Sequence, residues 1–178
     1  MSLSFHSRRG QTLVEALVAL SILTVGFVGI IVLLTRSFQL NRTTANDTQA
    51  TYLAAEGIEV AKNLIDHDVY EQLSGNSSYW GSCFPYSGSH YYYPIDYETT
   101  DCASLDVSNS APDTPLYFNP TSDTFSVNSL GANSTDFVRN IEVTNNGEEL
   151  DVQSTVTWSN GALGNTITLE DHFYNWNQ

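Results

Sequence analysis

The hydrophobic pattern changes period twice along the chain, and each change marks a different kind of element. Residues 16–35, ALVALSILTVGFVGIIVLLT, form an unbroken apolar run with no charged side chain. As a helix, twenty residues span roughly 30 Å, the thickness of a bilayer's hydrocarbon core. From residue 36 to 73 apolar positions recur instead at three, four or seven: Phe38, Ala45, Tyr52, Ala55, Ile58, Ala61, Ile65, Val69 and Leu73, broadened by Leu53, Val60 and Leu64. That spacing predicts one face of an amphipathic helix. The stretch from Thr43 to Thr48 and Gly57 are soft points, and Ser74-Gly75-Asn76-Ser77-Ser78 reads as a helix breaker. One helix is therefore expected from Thr12 to about Leu73.

The last third of the chain switches to period two. Residues 115–119 and 124–127 flank Pro120-Thr121-Ser122-Asp123, a hairpin turn. Phe137, Arg139, Ile141 and Val143 alternate with their neighbours, and after Asn145-Asn146-Gly147, a strong turn signal, so do Leu150, Val152, Ser154, Val156 and Trp158. A second Asn-Gly turn at 160–161 leads to a last strand, Thr166 to Phe173, with Ile167, Leu169 and Phe173 inward. The pattern predicts an α+β chain: a long helix packed on a small antiparallel sheet.

Charge narrows the function classes. The 178 residues carry 20 acidic and 6 basic side chains, a formal net charge of -14. Nucleic acid is not an expected partner, because a phosphate backbone needs a basic face. Arg8 and Arg9 precede the apolar run and favour a cytoplasmic N-terminus, although Arg36 directly after it weakens the asymmetry. A cleaved secretory signal needs a shorter apolar core and small residues after it, and no Ala-x-Ala pattern follows. A plain signal anchor fits the hydropathy but leaves unexplained why Glu15 sits at the start of the apolar segment, where a carboxylate is costly to bury.

Gly10-Gln11-Thr12-Leu13-Val14-Glu15, running directly into a long apolar helix behind a short basic leader, resembles the class III leader of type IV pilins and type II secretion pseudopilins. The resemblance implies cleavage between Gly10 and Gln11 by a prepilin peptidase on the cytoplasmic side, with N-methylation of Gln11, the new first residue. The usual residue there is phenylalanine, so Gln11 departs from the pattern. Glu15 becomes the fifth residue of the mature chain, where the family keeps a glutamate. Four residues from a free terminus, its carboxylate can pair with the α-amine of a neighbouring subunit and set axial register in a bundle of apolar helices. The alternative is a carboxylate at headgroup level that pairs with nothing.

Two further stretches resemble the same family. Ala54-Ala55-Glu56-Gly57-Ile58-Glu59 is similar to a segment of minor pilins, in which this half of the helix packs on the sheet. The order Phe137-x-Arg139-x-Ile141, a strand ending in Trp158, then Thr166-Ile167-Thr168-Leu169-Glu170 and Asn175-Trp176 resembles the C-terminal half of minor pilins and related pseudopilins. Together with the residue patterns, these similarities divide the chain into a leader (1–10), a membrane and filament-core helix (11–36), an amphipathic half (37–73), an aromatic disulfide-stapled loop region (74–115) that lies outside the resemblance, and the sheet of the head (116–178). They imply partners as well: other pilin subunits through the helix, the prepilin peptidase, and an inner-membrane assembly platform.

The residues between helix and strands carry the remaining candidates. Cys83 and Cys102, the only cysteines, fall on the expected outer side and suit one disulfide, with free thiols the runner-up. Trp80, Tyr86, Tyr91, Tyr92 and Tyr93 form either a recognition patch or a satellite core. Arg139 is read either as an interface pair or as an internal bridge to Asp136 or Glu142. Glu56, Glu59 and Lys62 read as solvent-face residues, the last two able to pair. Asp96, Glu98, Asp101 and Asp106 lack the spacing of a calcium loop. His67, His90 and His172 are scattered, and neither a catalytic constellation nor a metal or cofactor site is expected. Asn41-Arg42-Thr43, Asn76-Ser77-Ser78 and Asn133-Ser134-Thr135 match a glycosylation acceptor pattern that is common by chance.

The resulting expectation is a non-enzymatic structural subunit of a type IV pilus, more minor than major. It is held in the inner membrane with its N-terminus inside before assembly, and lies in an extracellular filament afterwards. The alternatives are a secretion-system pseudopilin and a single-pass surface adhesin or binding protein.

Overall fold

The computed structural model describes residues 9–75, 80–85, 90–100, 102, 105, 114–159 and 164–176. The first element is a single helix, α1, Arg9–Leu73. By contact the chain divides into two units, Met1–Ala45 and Asn46–Gln178. In the first unit α1 is the apolar run, without proline, and its hydroxyls fold back onto the helix: Ser21 Oγ donates to Leu17 O (2.7 Å), Thr24 Oγ1 to Ser21 O (2.9 Å) and Thr35 Oγ1 to Ile31 O (2.9 Å). These side chains thus place no unsatisfied hydroxyl among the apolar ones.

In the second unit the end of α1 packs on an antiparallel sheet. The strands are β1 (His90–Tyr93), β2 (Pro115–Asn119), β3 (Thr124–Ser126), β4 (Asn133–Asn145), β5 (Glu149–Ser159) and β6 (Gly164–Tyr174). Their order is β3-β2-β4-β5-β6, with β1 also pairing β4. β1 meets the C-terminal half of β4 (Tyr93↔Ile141) and β2 the N-terminal half (Pro115↔Val138), so two short strands share one edge of a long one. Pro115, which cannot donate to a ladder, opens its strand. The β4–β5 turn uses Gly147 at φ 91, and Gly147 N donates to the Asn145 side chain at 2.8 Å. The Asn160-Gly161 turn lies outside the described residues. Among those described, β6 is the sheet's long edge strand. Its Asp171 stands opposite Val152, on the face that the sheet turns toward the helix.

The alternating residues of β4 and β5 are buried as the period-two pattern predicts. The inward strand residues and the helix make two core clusters. Ala50, Leu53 and Ala54 meet Leu116, Phe137, Val156 and Trp158. Val60, Ala61, Leu64 and Ile65 meet Phe84, Tyr93, Ile95, Ile141, Val143, Leu150 and Val152.

Three expectations are corrected here. The buried helix face is Ala50, Leu53, Ala54, Gly57, Val60, Ala61, Leu64, Ile65 and Asp68, whereas Phe38, Tyr52, Ala55 and Leu73 are exposed. The expected Leu53, Val60, Ala61, Leu64 and Ile65 are buried, but the sheet approaches the helix so closely near Gly57 that small residues also occupy the contact. A Cβ on Gly57 would lie 2.6 Å from Ser154 Oγ and 2.9 Å from Ile141 Cδ1. Second, the aromatic segment contains strand β1, which four residues without alternation did not reveal. Third, Glu56 is not a plain solvent-face residue, because it pairs with the buried Arg139.

Gly57→Ala is therefore expected to destabilise the fold by about 1–3 kcal/mol through overpacking. A urea midpoint equal to that of the unaltered chain would show that the helix shifts aside without cost.

Candidate functional site

Gly10 and Gln11 fall in the first turns of α1, and Glu15 follows one helical turn after Gln11, with an exposed side chain. Around and beyond it, the large apolar side chains from Leu13 to Leu34 are 52–73% exposed. Within Thr12–Leu73 lies a window of mean hydropathy 2.9, long and apolar enough by composition to cross a membrane. Gly26 and Gly29 have nothing among the described residues within 4 Å of where a Cβ would lie. The arrangement is an exposed greasy helical surface carrying one carboxylate near its start. Such a surface is stable in lipid or against other apolar helices.

The second unit supplies a separate set of polar contacts. Arg139 projects inward from β4, between the two core clusters. Its Nη1 donates to Leu53 O (3.0 Å) and its Nη2 to Ile95 O (2.8 Å), with Glu56 Oε1 at 3.4 Å from Nη1. The expected alternatives, an exposed interface pair or a bridge to Asp136 or Glu142, are thus replaced by a buried tie between helix, loop and sheet. Asp136 and Glu142 sit at the opposite phase of the strand pleat, so their carboxylates leave the sheet on its other face. Burial pulls the guanidinium's pKa down, while Glu56 and Asp96 oppose the shift. Glu59 and Lys62 pair at 3.6 Å as expected.

Cys83 and Cys102 are disulfide-bonded, with Cα atoms 4.9 Å apart. Beside the bridge, Asp68 on α1 is buried. It accepts from Ser82 Oγ (2.7 Å) and Cys83 N (3.2 Å), and burial raises its pKa despite these bonds. Asp96 is likewise consumed by the protein: it accepts from Glu98 N (3.0 Å), Ser126 Oγ (2.8 Å) and Val127 N (3.1 Å). Asp101 and Asp106 lie outside the described residues. Neither Asp68 nor Asp96 was singled out as a loop anchor in the sequence, because their partners are distant or are backbone groups.

Of the aromatic candidates, Tyr93 is buried edge-on against Phe84 at 5.0 Å, and burial pushes its hydroxyl up to about 12. Trp80, half-buried, donates its indole N–H to Gly147 O at 2.9 Å. Tyr91 and Tyr92 are partly exposed on β1, and Tyr86 lies outside the described residues.

No curated protein and no solved structure matches the chain. A family model described as the prokaryotic N-terminal methylation motif matches residues 5–31, covering Gly10, Gln11, Glu15 and most of the apolar run. On a pilin-like α+β fold, the chain carries the N-terminal methylation motif that is the class III leader of type IV pilins and pseudopilins.

Proposed function

We propose that the chain is a minor subunit of a type IV pilus, made as a membrane-held precursor and assembled after removal of residues 1–10. The observation that carries this reading is the methylation motif running without interruption into an exposed apolar helix, with Glu15 at the fifth mature position. The precursor holds its N-terminus on the cytoplasmic side, where Arg8 and Arg9 stay. The prepilin peptidase cuts between Gly10 and Gln11, and Gln11 becomes the methylated terminus. An assembly platform in the inner membrane then lifts the helix into a bundle. Burial among neighbouring helices replaces burial in lipid, and Glu15 meets a neighbour's α-amine. The acidic second unit keeps the assembled surface soluble.

Intact mass and N-terminal sequencing of the protein from its native membrane or filament fraction test this directly. A chain starting at Gln11, with or without one methyl group, is expected. A chain still starting at Met1 in cells with an active peptidase would overturn the reading. A Glu15→Ala chain is expected to be cleaved but left out of filaments, whereas a simple anchored surface protein would tolerate it. Loss of surface filaments, rather than loss of protein export, is the phenotype that distinguishes a pilus subunit from a secretion pseudopilin.

A further inference from the structure

The disulfide is faced by a buried carboxylate. Asp68, 1% exposed on α1, places Oδ1 3.5 Å from Cys83 Sγ, and Leu64 O, one turn earlier on the same helix, lies 4.0 Å from that sulfur. A bridged sulfur has no proton to donate, so neither contact is a hydrogen bond, and two electron-rich oxygens face Cys83 from the helix. The carboxylate is fixed in place, because Ser82 Oγ donates to its Oδ1 at 2.7 Å and Cys83 N to its Oδ2 at 3.2 Å. The two cysteines also differ in access: Cys83 is 4% exposed, whereas Cys102 is partly exposed.

We propose that Asp68 guards the Cys83–Cys102 bridge against thiol reductants by holding a negative charge beside the sulfur that must leave. A reducing thiolate meets Cys102 before the buried Cys83. Its lone pair forms a bond to Cys102 Sγ, the bond between Cys83 and Cys102 breaks, and the bonding pair stays on Cys83 Sγ. A second thiolate attacks the reductant's sulfur in that mixed disulfide and releases Cys102. Two reductant thiols are thereby oxidised to one disulfide, the bridge gains two electrons, and both cysteine thiolates take up protons from solvent.

The first step is fast when the departing sulfur carries negative charge easily. Cys83 carries it poorly, because a like charge stands beside it in a site shielded from water. Attack from the other direction would expel Cys102, but it needs access to the buried sulfur. The reachable sulfur therefore has the poor leaving group, and the sulfur with the better leaving group is covered. This slows opening rather than preventing it. Anchoring the loop does not by itself call for the charge. An asparagine could accept from Cys83 N and donate to Ser82 Oγ without the desolvation that raises the pKa of Asp68.

Asp68→Asn tests the difference, since it keeps the anchor and puts an N–H donor where the carboxylate oxygen stood. The full chain is treated in detergent with excess mercaptoethanol, in a mildly alkaline buffer that keeps the carboxylate charged, and opening is followed by alkylation and intact mass. Asp68→Asn is expected to open roughly 10-fold faster than the unaltered chain. Ser82→Ala, which removes a loop contact but keeps the charge, is expected to open at the unaltered rate. Peptide mapping of the acid-quenched Asp68→Asn intermediate is expected to find mercaptoethanol on Cys102, and in denaturant all three chains should open alike. An unchanged rate in Asp68→Asn overturns the proposal. So does an equal acceleration in Ser82→Ala, an intermediate with reductant spread over both cysteines, or a rate difference that persists in denaturant.

Discussion

Arg139→Met is expected to cost the second unit about 3–5 kcal/mol, the usual penalty for removing one partner of a buried charged pair. The methionine would fill much of the space but donate nothing. Leu53 O and Ile95 O would lose the guanidinium, and Glu56 would be left facing an apolar side chain. Both carbonyls sit where solvent cannot replace the lost donor, so the loss is not confined to the ion pair. The double variant Arg139→Met/Glu56→Gln separates these contributions. If the carbonyl contacts dominate, removing the carboxylate's charge restores only a minor part of the stability. Denaturation followed by the fluorescence of Trp80 and Trp158 measures both variants, and a loss under about 1 kcal/mol for the single change would contradict the account.

Replacing Cys83 and Cys102 together by alanine is expected to cost about 2–4 kcal/mol, since the bridge closes a loop between residues 19 apart in sequence. That loop contains β1, whose pairing with β4 depends on bringing distant residues together, and an open chain must supply the closure entropy at folding. Cys83 is also buried against the helix side of the core, so alanine leaves a small void there. Reductant added to the unaltered chain should lower the unfolding midpoint toward that of the double variant, and should leave the double variant unmoved. Equal midpoints for all three would mean that packing alone holds the loop.

How much of this was legible in the sequence depends on the distance over which each signal acts. Gly10, Gln11 and Glu15 are read by proximity, as a linear leader joined to an apolar run, so the motif could be recognised without any fold. The strands were legible because their inward positions alternate along β4 and β5 and turn residues separate them. The helix face was misjudged because large residues such as Tyr52 and Phe38 weigh most in a hydrophobic pattern. Leu53, Val60, Ala61, Leu64 and Ile65 were placed correctly, but the contact also uses Ala50, Ala54 and Gly57, which that pattern passed over. Arg139 was noticed as an isolated base, but its contacts lie 86 and 44 residues away and two are backbone carbonyls, for which no residue type provides a signal. That Asp151 and His172 are neighbours was invisible for a related reason, since only the β5–β6 register brings them together.

The position of Asp171 bears on what happens when many copies are crowded side by side. An edge strand of eleven residues such as β6 is a template onto which another extended chain can add, and that chain can recruit the next. Continuing the sheet in register would also continue its helix-facing layer, which beside Val152 and Leu150 must be apolar. Asp171 breaks that layer at β6, the edge strand among the described residues, where its exposed carboxylate can stay hydrated. A strand arriving there would have to strip water from the charge or leave a gap around it, and either cost opposes sheet growth. If the chain gathers into a filament through its apolar helix, as proposed above, Asp171 closes off a second, uncontrolled way of gathering.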